Sequence, residues 1–281
     1  MTSFDASRTA LATSLMRAVH SRTAPAPLID DVWGDRLVPE AVRQAMPELA
    51  LRANAAYADV IVRTRYTEDA LAAALARGVD QYVIIGAGLD SFAHRRPANA
   101  RALTVYEVDH PATLGLKRQR LQACGVAEST ELHYVAADLS REDLGAALAH
   151  SPFQPGRPTF FSWLGVTMYL SREANLAALR AITACAAPGS ELVFTYVDEA
   201  VFSSGHAATG AFTELRQRVA SVGEAFLSGF NPAGLRAQLQ SIGIQLLEDL
   251  NGNEMVARYD ADGINGLESN SAAHLVHARM R

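Results

Sequence analysis

From residue 82 onward, short apolar runs alternate with helical stretches. The runs are Tyr82 to Ile85, Leu103 to Val108, Leu132 to Val135, Thr159 to Leu164 and Glu191 to Val197. They lack clean alternation, as strands buried on both faces do. Helical patterns lie between them: Pro111 to Cys124, Arg141 to His150 and Ser171 to Ala187. Five strands alternating with helices predict an α/β chain with a mostly parallel sheet and right-handed crossovers. Upstream the pattern is helical. A first helix is expected over Thr9 to Val19 with Ser7 as its cap, then a loop from Ser21 to Asp31 that holds Pro25 and Pro27. More helix is expected from Pro39 through Val62, and again from Thr67 to Arg77, where Gly78 stops it. Downstream the expectation is a helix over Phe212 to Val222, a loop from Gly229 to Pro232, and a helix from Ala233 to Ser241. A strand follows from Ile244 to Leu250, and a last apolar run from His274 to Ala278. The two last strands suit an antiparallel pair closing one sheet edge.

Composition narrows the class. The 281 residues are 49% apolar and 20% charged, which excludes disordered, collagenous and coiled-coil chains. A net charge of −5 argues against nucleic acid as a partner. Cys124 and Cys185 stand far apart and away from any spaced His, so neither a metal site nor a disulfide framework is expected. No stretch approaches 18 apolar residues, and Met1 to His20 lacks the apolar core of a signal peptide. Together these predict a soluble, cytoplasmic chain without membrane contact.

The sharpest local signal is Ile84-Ile85-Gly86-Ala87-Gly88-Leu89-Asp90-Ser91. A buried strand ends in glycines, where ligands of open α/β sheets bind. A dinucleotide site would want a third glycine at position 91, and Asp90 would oppose a phosphate. A ligand without phosphate and with a positive centre, such as S-adenosylmethionine, suits the turn better; an ordinary strand-to-helix turn is the plain alternative. About twenty residues on, Tyr106-Glu107-Val108-Asp109 places acids at a second strand end, where a carboxylate can accept from both ribose hydroxyls. Asp109 is favoured over Glu107, with His110 as N-cap and Pro111 in the first helical turn. At the third strand end, Asp138-Leu139 can hold an adenine amino group and cover the ring; otherwise Asp138 caps a helix beginning near Ser140.

These motifs, with Arg63-Thr64-Arg65-Tyr66 and Glu107-Val108-Asp109-His110-Pro111, resemble the leucine carboxyl methyltransferase-like family. Ser7 to Ala10, Gly165 to Leu170 and Gly229 to Gly234 also fit, so the resemblance covers nearly the whole chain. It implies a class I Rossmann-like methyltransferase with a mostly parallel seven-stranded sheet and helices on both faces. An N-terminal helical cap would span 1–66 and the S-adenosylmethionine-binding core 67–281. By position, the resemblance puts Arg63 at the methionine carboxylate, Gly86 and Gly88 beneath it, Asp109 on the ribose, and Asp138 and Leu139 around the adenine. Arg63 also makes independent sense as the bidentate partner of a carboxylate, with Arg65 as its substitute.

One departure concerns the acceptor. Many family members carry Glu-Gly after the fourth strand; this chain reads Trp163-Leu164-Gly165, so Leu164 stands in the acid's place. No residue commits itself as a general base. His20, Tyr169, Tyr196 and His206 could line an acceptor pocket, and each is also a common structural residue. Ser203 to His206 reads as a turn near the fifth strand end. The expected activity is O-methylation of a carboxyl or hydroxyl group on a small molecule. The alternatives are methylation of a protein C-terminal carboxyl, or donor binding without turnover. The sequence leaves the oligomeric state open.

Overall fold

The computed structural model describes residues 8–202 and 225–281. Ser7, the Ser203–His206 turn and the helix expected over Phe212–Val222 lie outside the described residues.

Seven strands form one sheet: β1 Gln81–Ile85, β2 Thr104–Asp109, β3 Leu132–Ala136, β4 Thr159–Trp163, β5 Glu191–Val197, β6 Ile244–Asn251 and β7 Ala273–Met280. Their spatial order is β3-β2-β1-β4-β5-β7-β6. The first five are parallel, and β7 runs antiparallel to both β5 and β6, closing the edge as expected. The order reverses between β1 and β4, which opens a crevice at their C-terminal ends.

All five residues of β1 are buried, because helices cover both faces. Tyr82, Ile84, Val105 and Phe160 pack against α1 (Arg8–Thr23) and α5 (Tyr57–Leu75), through Leu11, Leu15, Ile61 and Leu71. Val83, Ile85, Phe161 and Trp163 pack on the other face against α8 (Arg172–Cys185) and α9 (Pro232–Ser241), through Leu179, Ile182, Leu235 and Leu239. Each such fully buried aliphatic side chain contributes about 1.5–3 kcal/mol.

The helical segment expected from Pro39 through Val62 is broken. It forms α3 (Glu40–Ala45) and α4 (Glu48–Arg52), separated at Pro47, and then enters α5. Proline lacks the N–H that would continue α3. Conversely, α5 is uninterrupted through Arg63–Tyr66, where two helices were expected, so a boundary after Tyr66 falls inside this helix. Helix α6 (Pro111–Ala123) begins as predicted: Pro111 opens it and the His110 side chain accepts from Ala112 N at 3.2 Å. Helix α7 (Leu144–Ala149) starts later than expected, capped by Asp143. A short helix, α10 (Gly252–Tyr259), separates β6 from β7 and starts with a capping box between Asn251 and Glu254.

Helix α1 is fastened to the glycine turn. The buried Arg17 donates from Nε to Asp31 Oδ2 (2.7 Å) and from Nη2 to the Leu89 carbonyl (2.9 Å). Burial alone would raise Asp31, but Arg17, Arg95 and the Ser91 hydroxyl outweigh it and hold the carboxyl below its usual range. A short helix, α2 (Gly34–Leu37), lies so close to α1 that a Cβ at Gly34 would stand 2.3 Å from the Ser14 carbonyl oxygen.

Candidate active site

The crevice at the strand ends is a cleft of about 520 Å³, within the range of small-molecule sites. Arg63, Gly86, Gly88, Asp109, Asp138 and Leu139 all line it, although they come from α5 and from the ends of three strands.

The two glycines are needed for different reasons. Gly86 has φ +70°, and a Cβ there would sit 2.3 Å from Val166 Cγ2. Gly88 has φ +50°, and its missing side chain leaves room for Ala10 of α1, 3.2 Å from where a Cβ would be. The turn therefore touches the segment after β4 on one side and the first helix on the other.

Asp109 fixes the turn from the next strand. Its Oδ2 accepts from Gly88 N and its Oδ1 from His110 N, both at 2.6 Å. Burial raises its pKa, and the two amide donors work against that rise. The Thr113 hydroxyl acts on the same carboxylate in the same sense. The two carboxylate oxygens together offer about four acceptor positions. Glu107 does not share this role. It is fully buried, with Oε2 2.5 Å from Lys117 Nζ, and burial pushes its carboxyl up to about 7 against the pull of Lys117. Asp138 accepts from the Ser140 amide (3.1 Å) and hydroxyl (2.5 Å), which lowers its pKa. It thus forms a local turn ahead of α7 while facing the cleft, and Leu139 lies beside it.

Arg63 reaches the cleft, and Arg65 is engaged elsewhere, with Asp69 and the Leu28 carbonyl. The half-buried Arg63 guanidinium has no hydrogen-bond or ion-pair partner among the described residues. Burial lowers its pKa to about 10, opposed by Asp59 one turn earlier on α5. It passes over Gly165, whose φ is +70° and where a Cβ would lie 2.8 Å from Nη1 and Nη2. Gly165 N donates to Thr195 Oγ1 at 2.7 Å, holding that bend. Leu164, in the place of the family acid, is half-buried on the wall of the cleft.

This donor set fits S-adenosylmethionine. The Arg63 guanidinium and the Asp109 carboxylate line the same cleft, and Asp90, Asp109 and Asp138 give its wall a negative balance suited to a cationic, phosphate-free nucleoside. The pyrophosphate of a dinucleotide would meet Asp90.

A second cavity of about 410 Å³, mostly apolar, adjoins the cleft. The two share Thr9, Thr13, Arg63, Gly165 and Tyr169 as a common wall. Sequence reasoning named Arg63 and Tyr169 but missed that they share a wall, because α1, α5 and the segment after β4 build it from residues far apart in the chain. Of the candidate acceptor-pocket residues, Tyr169 and Tyr196 line the second cavity, the latter with its hydroxyl on Asp249 Oδ2 at 2.9 Å. His20 is buried away from it: its Nε2 accepts from Leu28 N at 3.0 Å, and burial lowers its pKa to about 4. His206 lies outside the described residues. Among the described residues there is no cluster suited to a metal ion, and no helix is long and apolar enough to cross a membrane.

A parallel sheet with an antiparallel last strand, a glycine turn and strand-end acids define a class I methyltransferase. Comparison with known proteins gives the family. The family model for leucine carboxyl methyltransferase matches residues 10–183, and the chain belongs to that family. A Bacillus subtilis protein that carries the name of an S-adenosyl-L-methionine-dependent methyltransferase is 32% identical over 218 residues, 78% of this chain and 71% of its own. A similarly named protein of Mycolicibacterium vanbaalenii is 36% identical over 241 residues, 79% of this chain and 78% of its own. In fold, the chain is similar to a DUF574 family protein of Streptomyces avermitilis (TM-score 0.61, 17% identity, 98% of each chain). It is also similar to a crystal structure from Thermobifida fusca titled as a methyltransferase (TM-score 0.59, 16% identity, 95% of this chain and 94% of that one). The protein is an S-adenosylmethionine-dependent methyltransferase.

Proposed function

We propose that this enzyme methylates an oxygen, carboxyl or hydroxyl, of a small molecule. The observation that carries this reading is the apolar second cavity sharing a wall with the donor cleft. Residues from α1, α3, α4 and α5 line it, so in this reading the segment 1–66 acts as a roof over the acceptor and keeps water out. When bound, S-adenosylmethionine supplies a methyl carbon already activated by its sulfonium. The chain's own task is alignment, and effective molarities of 10⁵ M or more show how far alignment alone can carry a reaction. In this reading Arg63 holds the methionine carboxylate, Gly86 and Gly88 let the backbone lie under it, Asp109 accepts from the ribose, and Asp138 and Leu139 flank the adenine.

Calorimetry with S-adenosylmethionine on wild type and Asp109→Ala tests the donor half. The variant should bind about 10- to 100-fold more weakly, as expected for losing hydrogen bonds to a charged acceptor. Equal affinity would remove Asp109 from the site. Release of S-adenosylhomocysteine in the presence of carboxylic and phenolic acceptors, with the product resolved by mass spectrometry, tests the acceptor half. A methyl group found on nitrogen or carbon would overturn it.

A further inference from the structure

We propose that the second cavity takes an aromatic hydroxyl compound, a phenol or an enol rather than a carboxylic acid, and that Asp59 receives its hydroxyl. This rests on reading that cavity as the acceptor site. Of the chain's six methionines, four, Met16, Met46, Met168 and Met255, stand on its wall. Methionine is flexible and polarisable and packs well against aromatic rings. Tyr169 and Phe226 add rings to the same wall, 5.5 Å apart and inclined at 68°. Such a lining suits a flat, apolar ligand.

Asp59 is the lining carboxylate among the described residues. It is half-buried on α5, one turn before Arg63. The Ser269 hydroxyl donates to its Oδ1, and its Oδ2 has no hydrogen-bond partner among the described residues. Five other ionisable groups of the lining bear on the charge balance: Arg63, Arg8, His274, Tyr169, which interacts with Arg63, and Tyr196, whose hydroxyl donates to Asp249 Oδ2. Arg63 stands at the shared wall and, in the reading above, is taken by the methionine carboxylate. Arg8 is exposed at the start of α1. The His274 Nδ1 lies 3.0 Å from Asp249 Oδ1. Burial raises Asp59 to about 6, opposed by Ser269 and Arg63, so at neutral pH it is an anion that still accepts a proton readily. A hydroxyl can donate to it, whereas a carboxylate acceptor would bring a second negative charge beside it. In the transfer, Asp59 takes the hydroxyl proton as the acceptor oxygen bonds the methyl carbon. The carbon–sulfur bond breaks with its electron pair staying on sulfur, and the proton then leaves Asp59 for solvent.

Two probes of equal ring size separate the classes: 1-naphthol, uncharged at pH 7.5, and 1-naphthoate. Their binding to the full chain is measured with and without saturating S-adenosylhomocysteine. Wild type should prefer 1-naphthol by about tenfold. Asp59→Asn should bring the two affinities close to equal while it still binds S-adenosylhomocysteine. Equal or tighter binding of 1-naphthoate by wild type, failure of both probes to bind, or an unchanged preference in D59N would each overturn the proposal. The wild-type preference decides even if D59N does not fold. Absence of S-adenosylhomocysteine binding would instead count against the donor-site reading, and the probes alone still report on the cavity.

Discussion

Arg63 owes its place to Gly165. A methyl group at that position would press into both terminal guanidinium nitrogens, at a φ of +70° that side chains rarely adopt. Gly165→Ala is therefore expected to displace Arg63 and weaken donor binding. Arg63→Met, which keeps the apolar stem, should lower S-adenosylhomocysteine affinity about 10- to 100-fold, since hydrogen bonds to charged groups contribute roughly 1.5–3 kcal/mol. Calorimetry on both variants checks this, and wild-type affinity in R63M would release Arg63 from the ligand site. At this scale the convergence was legible: the glycines and the strand-end acids Asp109 and Asp138 singled out in the sequence line one cleft, because a parallel sheet brings its strand ends together. The choice between Glu107 and Asp109 was not settled by alternation, which puts both on one face. Lys117 favours Asp109 by engaging Glu107 from α6, a contact that strand periodicity does not report.

Helix α1 was expected as part of a separate N-terminal cap, and the structure places its buried side chains in the core that covers one face of the sheet. Leu11, Leu15, Met16 and Val19 are buried, so removing Met1 to Arg22 would cost folding along with turnover. A sharper test is Arg17→Met, which cuts the bonds to Asp31 and to the Leu89 carbonyl. Breaking a buried pair outright costs about 3–5 kcal/mol, but Asp31 retains Arg95 and Ser91. The expected loss is about 2–3 kcal/mol, read from urea unfolding, together with a smaller thermal stabilisation by S-adenosylhomocysteine than in wild type. Loss of stability with full ligand stabilisation would show that α1 supports the core without shaping the turn. The elements of the sheet were legible because buried strands are short and β-rich. The continuity of α5 through Arg63–Tyr66 was not, since its polar residues there mask a helix whose buried stripe continues through Tyr66, Ala70 and Leu71.

At the end of the sheet far from the cleft, one acid ties β5 to β7 and to the turn that follows α5. Glu191 is 1% exposed and meets Arg77 at 2.6 Å, His277 at 2.9 Å and Arg279 at 3.0 Å. Burial would raise its pKa, but His277, Arg279 and Arg77 overcome it and hold the carboxyl at about 2. A folded pKa below the unfolded value means that this stabilisation is fully present above about 4.5 and fades as pH falls toward 2. It is worth about 2–3 kcal/mol at neutral pH. Glu191→Gln should therefore be less stable than wild type at pH 7, with the gap narrowing below pH 4.5. Urea midpoints across that range give the comparison, and a gap independent of pH would assign the loss to packing. The topology of the whole was legible from strand order and the antiparallel tail. The joining of distant ends by Glu191 was not, because its partners lie 114, 86 and 88 residues away.

The two cavities have Arg63, Gly165 and Tyr169 in common, so a ligand held in the cleft borders the surface of the second cavity. Whatever neutralises that guanidinium from one side also completes the surface offered on the other. The steady-state kinetics should accordingly be sequential with the sulfonium compound first on and its thioether last off. S-adenosylhomocysteine should inhibit competitively against the methyl donor and noncompetitively against the molecule being methylated.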